Sequence, residues 1–220
     1  MRRAIVFDLD GTLVDSVGDI RVAINRVLAA AGRSALDRKT VVSFVGDGAR
    51  QLVARAFEAT GGAEPDRVLD RHYRDFLDAY EAEPIALTRP YPGAMQALLA
   101  LKAEGRSLGV CTNKPDALTV AVLSRLGLAA HFDAIVGPDR VARRKPDPAP
   151  LISTLDAMGA GPGDAVMVGD SINDVEVARA AGVPVLCVTF GYARGAPEDL
   201  GADALIGHFR ELPAAIAALD

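Results

Sequence analysis

The chain is poor in the side chains that most often mark zinc proteins, secreted disulfide scaffolds and nucleic-acid binders. Among 220 residues there are two cysteines and three histidines. Cys111 and Cys187 each lie inside an apolar run, without Cys-x-x-Cys or metal-ligand spacing. They read as buried free thiols, which suits a reducing cytoplasm. His72, His131 and His208 are scattered and read as ordinary surface or half-buried residues. The net charge is -5, and the densest basic cluster, Arg140, Arg143, Arg144 and Lys145, has the look of a solvated loop. Nucleic acid is therefore not an expected partner. No apolar run approaches the roughly 20 residues of a membrane span. Met1-Arg2-Arg3 precedes too short an apolar stretch for a signal peptide. The expectation is a cytoplasmic protein, monomer or homodimer, with neither a membrane nor a nucleic-acid partner.

What is present begins at Asp8-Leu9-Asp10-Gly11-Thr12, directly after the apolar run Ala4-Ile5-Val6-Phe7. The run reads as a buried strand, and Gly11 permits the turn that ends it. Alternation along an extended chain puts Asp8 and Asp10 on one side. Two carboxylates held together repel, so they call for a divalent cation or a shared proton. Asp and Gly also make ordinary turns, but that fits poorly with a third carboxylate at Asp15.

Residues 16–90 have a helical texture. Ile20, Ala23, Ile24, Val27 and Leu28 recur at helical spacing, as do Leu52, Val53, Ala56 and Phe57, and then Leu69, Tyr73, Phe76, Leu77 and Tyr80. Val41-Val42-Ser43-Phe44-Val45 is ambiguous and is assigned to helix. Pro90-Tyr91-Pro92-Gly93 reads as a boundary. Beyond it, strands at Ser107–Cys111, Ala134–Val136, 165–168, 184–188 and Ala204–Ile206 alternate with helices at about 94–104, after Pro115, and at about 148–158, 172–181 and 209–219. This pattern predicts an α/β fold: a Rossmann-like parallel sheet covered by helices on both faces. It is formed by residues 1–15 and 91–220, with a small all-helical domain over 16–90 inserted after the first strand.

Open parallel sheets bind ligands at the carboxyl ends of their strands. Four polar clusters follow four expected strands: Asp8 to Asp10, Thr112-Asn113-Lys114, the Arg143-Arg144-Lys145-Pro146 segment with Asp139, and Gly169-Asp170-Ser171-Ile172-Asn173-Asp174. Each alone has an ordinary reading as a turn, a loop or a helix cap. Their joint arrival at one sheet edge is hard to explain as scaffold.

These motifs resemble those of the haloacid dehalogenase superfamily, in its phosphatase branch. Asp8-x-Asp10-Gly11-Thr12 matches the first family motif, Thr112 the second, Lys145 the third and Gly169-Asp170-x-x-x-Asp174 the fourth, in order and over the whole chain. The inserted helices resemble the family's small cap. A closer resemblance, to phosphoglycolate phosphatases, is carried by several segments: Leu13-Val14-Asp15-Ser16, Thr112-Asn113-Lys114-Pro115, Lys145-Pro146-x-Pro148, Phe190-Gly191-Tyr192, and Val45-Gly46-x-Gly48-Ala49-Arg50-x-Leu52. The chain departs at Gly18, where that group often has Pro, and at Pro138, where Gly is common. A looser hinge is expected at Gly18.

The resemblance implies hydrolysis of a small phosphorylated metabolite, 2-phosphoglycolate above others, through an aspartyl-phosphate. Asp8 would be the nucleophile, and Asp10 the acid to the leaving oxygen and then the base to water. Mg²⁺ would be held by Asp8, the Asp10 carbonyl and Asp170, with Asp174 orienting that site. Thr112 and the amides of Leu9 and Asn113 would hold phosphoryl oxygens, and Lys145 would add positive charge. Arg50 is assigned to the anionic group of the substrate, although an arginine on a helix is ordinarily solvated. Lys114 is left either at the cap interface or facing water. The same core motifs serve a sugar-phosphate phosphatase or a phosphomutase. A phospho-accepting receiver domain uses similar residues but is about half this length and carries its Asp after a middle strand. A dehalogenase would need neither Asp10 nor a metal.

Overall fold

The computed structural model describes residues 3–83 and 85–219. Its first strand, β1 (Ala4–Phe7), has no exposed residue and stands in the middle of a six-stranded sheet. Alternation sends Ile5 and Phe7 into the apolar layer on one face and Ala4 and Val6 into the layer on the other. Deleting the Phe7 ring alone would cost about 3–5 kcal/mol.

The chain then leaves the sheet through β2 (Val14–Asp15), builds a helical block, and returns through β3 (Arg89–Pro90). These two short segments pair antiparallel, Val14 with Pro90 and Asp15 with Arg89, so both crossings run side by side. Two-residue strands carry no periodicity, which is why the pattern reading missed them.

The helical block comprises α1 (Val17–Ala30), α2 (Arg38–Val42), α3 (Ala49–Ala59) and α4 (Asp66–Ala82). Its apolar stripes close on one another around Ile24, Val53, Phe57, Phe76 and Tyr80, in a layer that also takes in Leu118 and Tyr192 of the sheet half. The ambiguous Val41-to-Val45 stretch is helical only to Val42 and then turns. Asp37 starts α2 by accepting from Thr40 N at 2.7 Å. Where a looser hinge was expected, Gly18 packs against Leu87: a Cβ there would stand 2.8 Å from that side chain. Buried Asp19 fastens the same corner, accepting from the amides of Leu87 and Thr88 and from the Thr88 hydroxyl. The two crossings are thus tightly bound to each other.

After β3 come α5 (Ala94–Ala103), β4 (Ser107–Cys111), α6 (Asp116–Arg125), β5 (Ala134–Val136), α7 (Ala149–Met158), β6 (Ala165–Gly169), α8 (Ile172–Ala181), β7 (Val185–Val188), β8 (Ala204–Ile206) and α9 (Leu212–Ala217). The sheet order is β5-β4-β1-β6-β7-β8, with every neighbouring pair parallel. α5, α6 and α9 cover the Phe7 face, and α7 and α8 cover the Val6 face. The expected last helix begins instead as a short 3-10 turn over Phe209–Glu211. From β1 the chain first moves outward to β4 and β5, then crosses back to β6. The switch point therefore opens beside β1, at the carboxyl ends of β1, β4 and β6. Among the described residues no helix is long and apolar enough to cross a membrane.

Candidate active site

Each of the four polar clusters sends residues to that switch point, although Asp139 and Arg143 of the third stay exposed, Asp139 accepting from Asp116 N and Arg143 pairing with Asp147. Asp8 leaves the end of β1 and accepts from Lys145 Nζ at 2.9 Å. The same ammonium donates to Asp174 Oδ1 at 2.7 Å and to the Cys111 carbonyl at 2.9 Å, which closes its three N–H groups. Lys145 is buried, so the solvated-loop reading of its basic cluster fails at this residue. Burial works against its charge, yet Asp174 and Asp8 outweigh it and hold the ammonium above its ordinary pKa.

Asp170 follows β6. Its Oδ1 accepts from the Thr12 hydroxyl at 3.1 Å and its Oδ2 from Tyr192 N at 2.6 Å. Gly11, at φ +91°, is what permits this approach, since a Cβ there would meet Asp170 Oδ2. Asp174, in the first turn of α8, spends Oδ2 on the amides of Asp170 and Ser171 and on the Ser171 hydroxyl. With Oδ1 on Lys145, both of its oxygens are engaged.

Asp8, Asp170 and Asp174 are all buried and offer ligand oxygens within 4.8 Å of one another. Burial pushes the Asp8 carboxyl up to about 6 against the pull of Lys145. Burial, then the charges of Asp174 and Asp8, raise Asp170 well above the ordinary carboxylate range. Three carboxylates facing one ammonium leave an excess of negative charge that a hard divalent cation would neutralise. Asp8 and Asp170 retain lone pairs for such an ion. Asp174 is already committed to holding Lys145 and the start of α8.

Asp10 faces a different set of partners. Both of its oxygens lie against Lys114 Nζ, at 3.2 and 3.1 Å, and Ser16 Oγ donates to Oδ1. Lys114 is buried, donates to Tyr80 Oη of α4 at 2.8 Å, and stands 4.3 Å from the centre of the Tyr80 ring. Burial pushes the Tyr80 phenol up to about 12, so it is a neutral partner at ordinary pH. Thr112 is buried beside this pair, its hydroxyl accepting from Lys114 N at 3.2 Å. The backbone amides of Leu9 and Asn113 find no acceptor among the described residues. The Asn113 side chain is occupied: it bridges the Gly46 and Lys145 carbonyls and accepts from Lys145 N.

A cavity of about 50 Å³ lies between these strand ends and the helical block, its polar floor formed by Asp8, Asp10, Thr112 and Lys114. Its other wall includes Ile20, Leu52 and Phe76. Arg50 does not line it. Its guanidinium pairs with Asp70 at 2.8 Å and Asp66 at 3.0 Å on the outer surface of the block, and the side chain is 42% exposed. The turn after α2 is pinned to the core: Asp47 pairs with Arg194 at 2.7 Å and accepts from Asn173 at 2.7 Å, while Arg194 also donates to the Ser43 and Val45 carbonyls. These bonds, with Arg55, hold the Asp47 carboxyl down at about 2 despite partial burial.

Two groups at the site carried little weight in the sequence. Lys114 was left between the interface and water, and it is buried against Asp10. Tyr192 stood only as part of Phe190-Gly191-Tyr192. Its hydroxyl accepts from the amides of Ser16 and Val17 at 2.8 and 3.0 Å and donates to Asp15 at 2.7 Å. Its own amide holds Asp170, so one residue joins the start of α1 to the carboxylate cluster.

Residues 5–188 match the family model described as haloacid dehalogenase-like hydrolase. The chain is similar, at 46% identity over 216 residues, to the phosphoglycolate phosphatase of Rhodospirillum rubrum, covering 96% of this chain and 90% of that one. Its fold is similar to the crystal structure of a predicted phosphoglycolate phosphatase from Haemophilus somnus 129PT, with 30% identity, 98% of both chains covered and a TM-score of 0.92. It is also similar to CbbY of Rhodobacter sphaeroides solved in complex with phosphate, at 29% identity, 96% of both chains and a TM-score of 0.79.

Proposed function

The chain belongs to the haloacid dehalogenase-like hydrolases and is a phosphatase, and we propose that it hydrolyses 2-phosphoglycolate to glycolate and phosphate through a phosphoryl group carried on Asp8. The observation that carries this reading is the Asp8–Lys145–Asp174 chain beside Asp170, buried behind the Asp8 floor of a small cavity. Its substrate is supported by the named relative from Rhodospirillum rubrum and by a cavity that favours the smallest esters.

The obstacle to the reaction is charge. A carboxylate and one phosphate charge about 4 Å apart repel by roughly 4 kcal/mol at an effective dielectric near 20, and a dianion by about twice that. Lys145 offsets part of this while holding Asp8 in place. Asp8 and Asp170, with the Asp10 carbonyl, are the groups that would hold Mg²⁺, and all-oxygen donors suit that ion. When bound, it supplies positive charge to the phosphoryl oxygens and to the attacking carboxylate. Thr112 and the unpaired amides of Leu9 and Asn113 hold phosphoryl oxygens as charge develops. Asp10 gives its proton to the leaving oxygen, then takes one from the water that cleaves the aspartyl-phosphate. Residues 16–90 act as a cap that excludes water from this step. The buried thiols fit a reducing compartment, and we assign the enzyme to the cytoplasm.

The test is phosphate release from 2-phosphoglycolate, sugar phosphates, nucleotides and p-nitrophenyl phosphate, with Mg²⁺ and with EDTA. The expected result is Mg²⁺-dependent release that peaks on 2-phosphoglycolate. Release spread over sugar phosphates would discard this substrate, and transfer between positions on a sugar without net release would indicate a mutase.

A further inference from the structure

We propose that Lys114, and not Arg50, reads the carboxylate of the substrate, and that Tyr80 of the cap completes this reader only when the cap lies over the core. The inference rests on the 2-phosphoglycolate reading above and names the residue that selects that ester.

The first argument is position. Asp10 must reach the leaving oxygen, and in 2-phosphoglycolate a single methylene separates that oxygen from the carboxylate. A carboxylate reader therefore has to stand next to Asp10. Lys114 Nζ lies 3.1 Å from Asp10 Oδ2, whereas Arg50 is paired with Asp66 and Asp70 outside the cavity.

The second argument is charge. Of the described residues that line the cavity, Lys114 is the only cation. Ile20, Leu52, Phe76 and Leu118 offer nothing to a second anion, and an unpaired carboxylate among them would be strongly disfavoured.

The third argument is bonding capacity. An ammonium has three N–H groups. The two Asp10 oxygens, at 3.2 and 3.1 Å, belong to one carboxylate and can share a single N–H when a ligand arrives, while Tyr80 Oη takes another at 2.8 Å. The third is then free to meet a carboxylate. The Tyr80 ring, 4.3 Å from Nζ, fixes the ammonium from its other side. Tyr80 belongs to α4 and Lys114 to the loop after β4, so the reader is shared across the two halves of the molecule. Specificity of this kind is assembled by closure.

The experiment compares kcat/KM for 2-phosphoglycolate and for ethyl phosphate, which has a methyl in place of the carboxylate, in the wild type, Lys114→Met, Lys114→Arg and Tyr80→Phe. A lost charge-assisted hydrogen bond is worth about ten- to a hundredfold. Lys114→Met is expected to shrink the wild-type preference for 2-phosphoglycolate by about tenfold or more, beyond any loss common to both esters. Lys114→Arg should restore part of that preference. Tyr80→Phe, which keeps the ring and removes one hydroxyl, should lower it about threefold. Equal losses on both esters in Lys114→Met would mean that Lys114 only positions Asp10, and would overturn the inference. If Lys114→Met does not fold, an unchanged preference in Tyr80→Phe overturns it, and a reduced one supports it. A wild type with no preference for 2-phosphoglycolate would remove the substrate reading itself, and that is seen before any variant is made.

Discussion

The sheet's carboxyl edge and the helical block face the same cavity with opposite chemistry. The edge is polar, buried and held from within: Lys145 is closed by Asp8, Asp174 and Cys111, all on the core. The block presents mostly apolar side chains, and its main polar contributions are Tyr80, the Gly46 carbonyl and Asp47. Each of these meets a core residue: Lys114, Asn113 and Asn173. The difference teaches where the two halves divide the work on the proposed reading: the buried charges belong to the sheet edge, and substrate choice would depend on how the helical block is set down upon it.

The largest break in this comparison is Asp8→Asn. It should lower kcat by about 10⁴-fold or more, because no other buried carboxylate stands where a nucleophile is needed. Steady-state phosphate release checks it, and Thr112 and Lys145 should keep their places because Asn preserves the shape.

The same variant sharpens the electrostatics of the edge. Folding raises Asp8 to about 6. A carboxyl raised on folding adds stability below its unfolded pKa and loses it as pH climbs through the folded value. Metal-free wild type should therefore lose about 2 kcal/mol relative to Asp8→Asn between pH 4 and pH 7. Raised Asp170 works in the same direction. Chemical denaturation in EDTA at several pH values measures this. Mg²⁺ should raise the melting temperature more at pH 8 than at pH 5, since protons compete with it for the same oxygens.

A smaller effect is expected where the block is pinned. Arg194→Ala removes the pair with Asp47 and the bonds to Ser43 and Val45. These groups are partly solvated, so stability should fall by at most about 1 kcal/mol. KM should rise roughly fivefold as the closed arrangement becomes less populated. Initial rates and a thermal melt separate the two.

The smallest effect is expected at Arg50. Arg50→Ala removes two exposed surface pairs, and kinetics with 2-phosphoglycolate should stay within about twofold of wild type. A large rise in KM would return Arg50 to the substrate.

The contrast between the halves also explains what could be read from the chain. Ser107–Cys111, Ala134–Val136 and Ala204–Ile206 are strands as expected, because buried strands are short apolar runs bounded by turns. The convergence of Asp8, Thr112, Lys145 and Asp170 was legible for a related reason: a parallel sheet sends every strand end to the same edge. In the helical block, helical spacing identified the stripes at Ile20–Leu28 and Leu52–Phe57 but not the direction of a residue at their margin. Arg50 lies in the first turn of α3 next to cavity-lining Ala49 and still turns outward to Asp66 and Asp70. Lys114 was ambiguous because its partners, Asp10 and Tyr80, are 104 and 34 residues away in the chain. Gly18 looked like a loose hinge until Leu87, from the returning crossing, was found against it.

The most direct measurement is acid quenching of the wild type during turnover of 2-phosphoglycolate, followed by peptide mass analysis. A phosphoryl group on the peptide that contains Asp8, absent from Asp8→Asn, is the predicted result. Full turnover with no covalent phosphoryl on Asp8, under conditions where aspartyl-phosphate survives, would contradict a nucleophilic Asp8 and assign the attack to water.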